Sequence, residues 1–380
     1  MNRSTVDFGI DLGTTNSATA VSNGGNVEVI KNNDNLDCTS SAVWVDKNNK
    51  EFVGLTAKNQ LEVDPDNAFS EFKLQMGNAA QRYRFARSGS ERRPEDLSAA
   101  VLKSLKKDVR QRLGEEIECA VICVPAAFEL PQCSATKQAA QLAGLTHSPL
   151  VQEPVAAALA YGFQSQSDKV FWLVYDLGGG TFDAAVVQVR EGTIQVVNHG
   201  GDNHLGGKLI DWAIVDELLI PSLTKQKKLR EFHRGNPKWR AAIAKLKQEA
   251  ERAKIRLSHN ESVSINLDFL CLDDSNQPVQ FEYDLRVQDV ERVAEPFILN
   301  SINICRRVLQ EKRLGPLISK RFCWSADRPW RLIYAPAWRI PRKAWEFRWI
   351  LVSTPSPSWR AAPRFLQWPN RCRRPAQRKP

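Results

Sequence analysis

The sequence has no long apolar run: no stretch reaches the roughly 18 residues of a membrane-spanning helix. No apolar segment of the signal-peptide type follows its first residues, Met1 to Thr5. The eight cysteines contain no paired CxxC spacing, and the five histidines do not cluster at the spacings of metal ligands. We therefore expect a cytoplasmic protein with reduced thiols and neither a disulfide framework nor a zinc site.

Charge is distributed unevenly along the chain. Residues 317–380 contain 15 lysines and arginines but only two acidic residues, together with seven of the 11 tryptophans and nine of the 20 prolines. The net charge of +10 therefore comes from this tail, and residues 1–316 carry about −3. With 380 residues, 42% of them hydrophobic, the chain is long enough for about two globular domains. The composition predicts two cores followed by a tail of another kind.

Two stretches share a strand–turn–strand pattern with an aspartate at the end of the first strand. In the first, the strand ends at Asp11, and the turn contains Gly13, Thr14, Thr15 and Asn16. In the second, the strand ends at Asp176, and the turn contains Gly178, Gly179, Gly180 and Thr181. Because a strand leaves each turn, both are β-hairpin tips. This excludes the P-loop and the dinucleotide fingerprint, which both open a helix.

The residue types in these turns suit a phosphate and a metal ion. Glycines allow backbone N–H groups to approach a phosphate closely, and the threonines add hydroxyl donors. One or two carboxylates are the usual protein ligands of a hydrated Mg²⁺. A single turn of this kind is equally compatible with a plain glycine-rich hairpin. Two copies predict a duplicated fold that clamps a polyphosphate between two lobes.

The remaining pattern alternates strands and helices. Leu97, Val101, Leu105 and Val109 recur every four residues, which predicts an amphipathic helix over 94–113. Further helices are predicted over 132–143, 240–257 and 287–314, and a strand pair over 263–272 and 279–283. The fold class is therefore α/β.

Taken together, these motifs resemble the DnaK-type (seventy-kilodalton heat-shock) chaperones, and specifically their actin-like ATPase domain. The resemblance runs from about Val6 to Pro316. It rests on the two turns and on four further segments: Val124 to Phe128, Glu153 to Gly162, Gly201 to Gly207 and Glu251 to Ser258. It implies an actin-like (ribonuclease-H-like) fold with one lobe over residues 1–166 and a second, incomplete lobe over 167–316.

The resemblance also implies a function. It implies that the chain binds ATP or ADP with Mg²⁺, hydrolyses ATP, and assists protein folding under stress. The partners implied are a J-domain co-chaperone and a nucleotide-exchange factor, with no membrane and no nucleic acid.

Roles for individual residues follow from the same resemblance. Asp11 and Asp176 match the carboxylates around Mg²⁺, and the turn residues of both hairpins match the phosphate cradle. Lys73 matches the lysine that neutralises charge on the γ-phosphate, and Glu153 matches the carboxylate near the attacking water. The catalytic set is thus Lys73, Glu153, Asp176 and Thr181.

The nucleotide-binding set extends to the second half of the chain. Gly206 and Gly207 belong to a loop of the nucleotide site, and Glu251, Lys254 and Ser258 match one wall of the adenosine pocket. These last three fall on one face of a helix. Pro125 matches the proline that relays the nucleotide state between the lobes.

The resemblance stops near Pro316, where the family continues with a strand, a Gly-Gly adenosine turn and a peptide-binding domain. A basic, aromatic-rich tail is one form of nucleic-acid-binding arm, but we favour a slip of the reading frame. If the third base of each codon is joined to the first two of the next, Phe322–Cys323 and Cys323–Trp324 must both encode leucine. The shifted frame around them permits Asp-Ile-Glu-Lys-Val-Leu-Leu-Val-Gly-Gly-Pro, which resembles the missing strand and turn.

This interpretation sets expectations for the tail and for activity. We expect residues 317–380 to be out of frame and disordered, the last strands and helix of the second lobe to be missing, and the peptide-binding domain to be absent. A nucleotide-binding remnant that does not hydrolyse ATP is the first alternative, and a nucleic-acid-binding protein acting through the basic tail is the second.

Overall fold

The computed structural model describes residues 6–160, 170–190, 193–312, 321–326 and 348–353. These residues divide into two units. Unit 1 contains the described residues up to 55 and those from 69 to 160, and unit 2 contains residues 56–68 and the described residues from 170 to 353. The domain boundary predicted between residues 166 and 167 lies outside the described residues.

Residues 6–160 alternate short strands with four α-helices and one 3₁₀ turn, Phe72–Gln75. In chain order the elements are β1 (Phe8–Leu12), β2 (Asn16–Asn23), β3 (Asn26–Val29), β4 (Thr39–Ser40), β5 (Ala42–Val45), β6 (Glu51–Val53), α1 (Leu55–Gln60), β7 (Ala68–Ser70), β8 (Tyr83–Arg84), β9 (Glu91–Arg92), α2 (Pro94–Leu113), β10 (Val121–Val124), α3 (Leu130–Leu142), β11 (Leu150–Gln152) and α4 (Glu153–Ala160).

The described residues from 170 onward form longer strands and helices. They are β12 (Val170–Leu177), β13 (Phe182–Arg190), β14 (Thr193–Asp202), α5 (Gly207–Ile214), a π-helical turn (Val215–Leu219), α6 (Ile220–Gln226), a 3₁₀ turn (Pro237–Trp239), α7 (Arg240–Arg256), β15 (Ser262–Leu272), β16 (Pro278–Arg286), α8 (Val287–Glu311), β17 (Arg321–Ala326) and β18 (Arg348–Ser353).

The main sheet of unit 1 has the order β11-β10-β1-β2-β3, and β4 pairs with β2. Strands β11, β10 and β1 are parallel, whereas β2 and β3 run antiparallel as consecutive hairpins. Helix α2 has the predicted bounds, and the predicted apolar stripe from Leu97 to Val109 is buried in the core together with Ile10 and Ile122. The periodicity of four therefore predicted both this helix and its buried face.

The main sheet of unit 2 repeats this arrangement, with the order β14-β13-β12-β17-β18. Strands β12, β17 and β18 are parallel, and β13 and β14 follow as antiparallel hairpins. Each strand thus has a counterpart in the sheet of unit 1. The duplicated fold predicted from the two turns is present at the level of sheet topology.

The tail corrects one expectation. We predicted that the last strands of the second sheet are missing and that residues 317–380 are disordered, but residues 321–326 and 348–353 form β17 and β18. The physical reason is that the hydrogen bonds between strands join backbone groups. The open edge of β12 can therefore pair with a segment whose sequence does not alternate apolar and polar residues. The segment also contains two aromatic residues, Phe322 and Trp324, and aromatic residues favour strands. The rest of the tail lies outside the described residues.

The helices of unit 2 hold the β12–β13 hairpin in place. Residues of α5, α7 and α8 share one hydrophobic core with the buried side of the sheet. Within it, the Tyr175 hydroxyl on β12 lies 2.6 Å from Ser301 Oγ on α8, which satisfies two buried polar groups. No helix in the described part of the chain is both long enough and apolar enough to cross a membrane.

Candidate functional site

The first predicted turn joins β1 to β2 in unit 1. The strands pair from Phe8–Val21 to Leu12–Ser17, so residues 13–15 form the tip. Ser41 fastens this tip: its hydroxyl donates to the Gly13 carbonyl at 2.7 Å, and its backbone N–H donates to the Thr15 carbonyl at 2.8 Å. The hairpin predicted from the sequence is confirmed, and its turn is held from outside.

Two features of this turn fit a bound phosphate. The hydroxyl oxygen of Thr15 is buried and has no hydrogen-bond partner among the described residues. A buried hydroxyl left unpaired is costly, and a ligand oxygen would satisfy it. A Cβ at Gly13 would lie 2.0 Å from the Asn16 carbonyl oxygen, so only glycine fits the tight backbone there.

Lys73 and Glu153 meet in unit 1. Lys73 lies in the 3₁₀ turn after Glu71, which takes a left-handed conformation at φ 60°. Glu153 begins α4 immediately after β11. The Lys73 ammonium donates to Glu153 Oε1 at 2.8 Å, and Lys73 is only 5% exposed. The two residues assigned to γ-phosphate and water chemistry are therefore neighbours.

Cys123 lies near these residues, although the sequence analysis did not identify it. It lies on β10 and pairs in register with Asp11 on the parallel strand β1. Burial raises the pKa of the Cys123 thiol, the nearby charges of Asp11 and Glu153 raise it further, and Lys73 opposes them. The thiol thus stays protonated and shares its surroundings with three predicted site residues. We call Asp11, residues 13–16, Lys73 and Glu153 the unit 1 site.

Pro125 follows β10 directly. Its carbonyl accepts a hydrogen bond from the Phe128 backbone N–H at 3.1 Å, and the Phe128 ring centre lies 5.7 Å from the Lys73 ammonium. The segment after β10 therefore contacts the lysine of the unit 1 site.

The second predicted turn joins β12 to β13 in unit 2. Asp176 pairs with Asp183 and Leu177 with Phe182, and the Gly178 N–H closes the turn onto the Thr181 carbonyl at 2.9 Å. This hairpin is also confirmed. The neighbouring Gly206 packs closely against this turn: a Cβ on Gly206 would lie 2.6 Å from the Gly180 nitrogen.

The Gly206–Gly207 segment binds the back of this turn. The Gly207 N–H donates to the Gly178 carbonyl at 3.0 Å, and the Lys208 N–H donates to the Gly179 carbonyl at 2.8 Å. The Gly178 and Gly179 carbonyls therefore each accept a hydrogen bond from this segment. The loop and the turn predicted to bind nucleotide are thus joined into one backbone assembly.

Helix α7 adds charged side chains to the same assembly. Lys254 donates to the Gly207 carbonyl at 2.9 Å and forms an ion pair with Asp211. One turn earlier, Glu251 accepts from Lys58 at 2.6 Å. Burial raises the pKa of Glu251, but Lys58 and Lys254 outweigh burial, so the pKa lies below its usual value. Glu251 is therefore a carboxylate at neutral pH.

The unit 2 site consists of Asp176, residues 178–181, Gly206, Gly207, Glu251 and Lys254. Ser258, the third residue of the predicted wall, is buried just beyond the end of α7. Sequence reasoning missed Asp211 and Lys58. For Asp211, the available signal was an acidic residue between Ile210 and Trp212 in the helix Gly207–Ile214.

A resident metal held by protein ligands alone is not indicated: no group of three or more His, Cys, Asp or Glu side chains in the described ranges is arranged to hold one. A hydrated Mg²⁺ needs fewer protein ligands, because it binds one or two carboxylates and keeps several waters. Asp11 and Asp176, each at the last positions of a strand before a glycine turn, suit that chemistry.

Comparison with known proteins gave one consistent result. A family model described as Hsp70 protein matches residues 7–316. The chaperone protein DnaK of Mycoplasmopsis synoviae (strain 53) is 38% identical over 309 residues, which cover 81% of this chain and 50% of that protein. The chaperone protein DnaK of Mycoplasma mobile is 39% identical over 307 residues, covering 81% of this chain and 49% of that protein. The chain therefore spans about half the length of the curated relatives it matches.

Proposed function

Because the chain belongs to the Hsp70 family, whose nucleotide-binding domain is actin-like, we propose that it binds Mg²⁺–ATP and hydrolyses it. The proposal uses the residues of the unit 1 and unit 2 sites. The observation that carries it is the 2.8 Å contact between the Lys73 ammonium and Glu153.

This contact supplies the two groups that hydrolysis of a γ-phosphate needs. Phosphoryl transfer is catalysed mainly by positioning and by neutralising charge on the phosphate oxygens. An ammonium that is almost fully buried acts with little screening by water, so Lys73 is a strong electrostatic partner for a phosphate. In our proposal Glu153 orients the attacking water and accepts a hydrogen bond from it, and the contact with Lys73 holds the Glu153 side chain in place.

The two glycine turns bind the phosphates in this proposal. Backbone N–H groups and the hydroxyls of Thr14, Thr15 and Thr181 donate to phosphate oxygens. Asp11 and Asp176 would hold a hydrated Mg²⁺ through its waters, and the ion would supply positive charge beside the phosphates. The buried Thr15 hydroxyl supports this role because it has no partner in the described part of the chain and a phosphate oxygen would provide one.

Glu251, Lys254 and Ser258 contact the adenosine in our proposal. Glu251 is ionised and fixed by Lys58, so it accepts hydrogen bonds from ribose hydroxyls. Lys254 is fixed by Gly207 and Asp211. Side chains held in one rotamer lose little entropy when a ligand binds.

Single-turnover hydrolysis of ATP by the full chain tests this function. We expect the wild-type chain to release phosphate, and we expect the Glu153→Gln variant to bind ATP but release phosphate about a hundredfold more slowly, since it loses the water-orienting carboxylate. Release at the wild-type rate by this variant would remove Glu153 from the mechanism. Tight ATP binding by the wild-type chain without release would make the chain a nucleotide-binding remnant.

The activity of the whole chaperone belongs to the same proposal. We propose that nucleotide turnover serves protein folding in the cytoplasm under stress, with a J-domain co-chaperone and a nucleotide-exchange factor as partners. Stimulation of the single-turnover rate by a J-domain protein is the expected result in a reconstituted assay.

We also propose that the tail is read out of frame. The codons for residues 317–327, sequenced from genomic DNA, test this. We expect a one-base shift to restore Leu-Leu-Val-Gly-Gly at 322–327 and a long open frame. Codons that cannot encode this peptide would make the tail a genuine part of the protein, and salt-dependent DNA binding by residues 317–380 would then be the property to measure.

A further inference from the structure

A buried carboxylate without an assigned role lies behind the unit 2 site. Asp211 is on α5, five residues after Gly206, and only 3% of it is exposed. Burial raises the pKa of Asp211, and the adjacent Lys254 opposes this effect. Buried carboxylates are rare unless they are paired, because desolvation disfavours the charge. The position therefore needs an explanation beyond helix formation.

A continuous series of contacts leads from Asp211 to the turn of residues 178–181, which we call the phosphate turn. Asp211 forms an ion pair with Lys254, and Lys254 donates to the Gly207 carbonyl at 2.9 Å. The N–H of Gly207 then donates to the Gly178 carbonyl at 3.0 Å. Three contacts thus connect the buried carboxylate to the turn that follows Asp176.

The packing leaves little room for this assembly to rearrange. A Cβ at Gly207 would lie 3.3 Å from the Lys254 ammonium, and a Cβ at Gly206 would lie 2.7 Å from the Gly179 carbonyl carbon. The lysine, the loop and the turn are therefore in close contact. A displacement of the ammonium is transmitted to the loop, because Lys254 binds the loop backbone directly.

We propose that Asp211 is a positioning residue for nucleotide binding: it holds Lys254 against Gly207 and thereby fixes the loop that supports the phosphate turn. Asp211 itself does not touch the nucleotide. Its effect on nucleotide affinity rests on the proposed function, whereas its effect on the loop does not. The two parts can be measured separately.

Hydrogen exchange measures the structural part in the full chain without nucleotide. The amides of Gly207 and Lys208 are hydrogen-bonded to the phosphate turn, so their exchange reports on the loop. We expect Asp211→Asn to speed exchange at these amides about tenfold, with no change in β15 and β16. The matched control is Asp216→Asn, which removes an exposed carboxylate paired with Arg234 at 3.0 Å in the same unit. We expect this control to leave the loop amides unchanged.

Equilibrium binding of ADP measures the functional part. We expect Asp211→Asn to weaken ADP binding about tenfold, and to have no further effect in a Lys254→Met background, because Asp211 acts through that lysine. If the wild-type chain binds no ADP, the proposed function fails while the exchange experiment still decides the positioning role. Unchanged exchange at Gly207 and Lys208 in Asp211→Asn would overturn the inference whatever the nucleotide result.

A folding defect has its own test. Should Asp211→Asn fail to fold because a buried ammonium loses its counter-ion, the double variant Asp211→Asn with Lys254→Met removes both charges together. We expect this variant to fold and to show the same fast exchange at the loop. A double variant that is unfolded, or one with wild-type exchange at the loop, would overturn the positioning role.

Discussion

The Lys73 ammonium lies 2.8 Å from Glu153 Oε1, although 80 residues separate them in the chain. Each side chain is placed by a backbone feature: Lys73 by a 3₁₀ turn after a left-handed residue, and Glu153 by the junction of β11 and α4. A charged pair fixed in this way, in the same unit as the Asp11 turn, is suited to act on a phosphate.

Replacement of Lys73 by alanine should slow ATP turnover strongly without unfolding the chain. Loss of one buried positive group that stabilises a transition state typically slows a reaction about 100-fold or more. Rapid-quench measurement of a single turnover gives the rate. Lys103→Ala, at an exposed position of α2, is the matched control and should keep the wild-type rate. Equal rates for the two variants would exclude Lys73 from catalysis.

Gly206→Ala should weaken nucleotide binding. Gly206 has an extended backbone, which alanine can adopt without strain. The added methyl group would instead clash with the turn, because it would lie 2.6 Å from the Gly180 nitrogen. The phosphate turn must then shift, and we expect the dissociation constant for ADP to rise by about tenfold or more.

Gly114→Ala separates this effect from general instability. Gly114 has φ 68° and open space around its Cα, so alanine there costs about 1 kcal/mol of folding free energy through left-handed strain alone. We expect a lower melting temperature with unchanged ADP affinity. Normal ADP binding by Gly206→Ala would show that the Gly206–Gly180 approach is not needed for the site.

Asp108 should make the stability of the chain depend on pH. Burial raises the pKa of this carboxyl from 3.8 to about 6, although the Asn33 N–H opposes the shift. Because the folded pKa is above the unfolded one, the folded state binds the proton more tightly, and the contribution of Asp108 to stability improves as the pH falls from about 6 towards 3.8.

Asp108→Asn removes this dependence. We expect the variant to be more stable than the wild-type chain above pH 6 in urea unfolding, with the difference shrinking as the pH falls. Glu28→Gln, which replaces an exposed acid of unit 1, should follow the wild-type curve. A stability difference that stays constant between pH 4 and 7 would contradict the assignment.

The strand pairing of the tail can be tested with proline. Cys323 on β17 pairs with Val174 on β12 and with Ile350 on β18. Cys323→Pro removes a backbone donor from the middle of a sheet, so we expect a lower melting temperature and faster proteolysis. Cys323→Ser keeps the N–H and should change little. Identical melting of the proline and serine variants would mean that β17 does not contribute to the folded sheet.

Local patterns predicted much of the fold. Asp11 and Asp176 were placed at hairpin tips because glycines and alternating strands are local signals, and α2 was placed by the spacing of its leucines and valines. The contact between Lys73 and Glu153 could not be derived from spacing, because it depends on how the 3₁₀ turn packs against β11 and α4. Only the family resemblance suggested both residues.

The errors of sequence reasoning have physical causes. Cys123 was missed because it meets Asp11 across two parallel strands, more than a hundred residues apart. Asp211 was missed because its partner Lys254 lies on another helix. The strand β17 was missed because its pairing depends on the open edge of β12 and on backbone groups, which side-chain patterns do not reveal.

In the proposed function, Asp11 and Asp176 each contribute to the binding of Mg²⁺–ATP. Calorimetric titration of the full chain with ATP, with and without Mg²⁺, tests it most directly when Asp11→Asn and Asp176→Asn are measured beside the wild-type chain. We predict one nucleotide per chain, tighter binding with Mg²⁺, and a loss of the Mg²⁺ effect in each variant. No nucleotide binding by the folded wild-type chain, or an unchanged Mg²⁺ effect in both variants, would contradict the account.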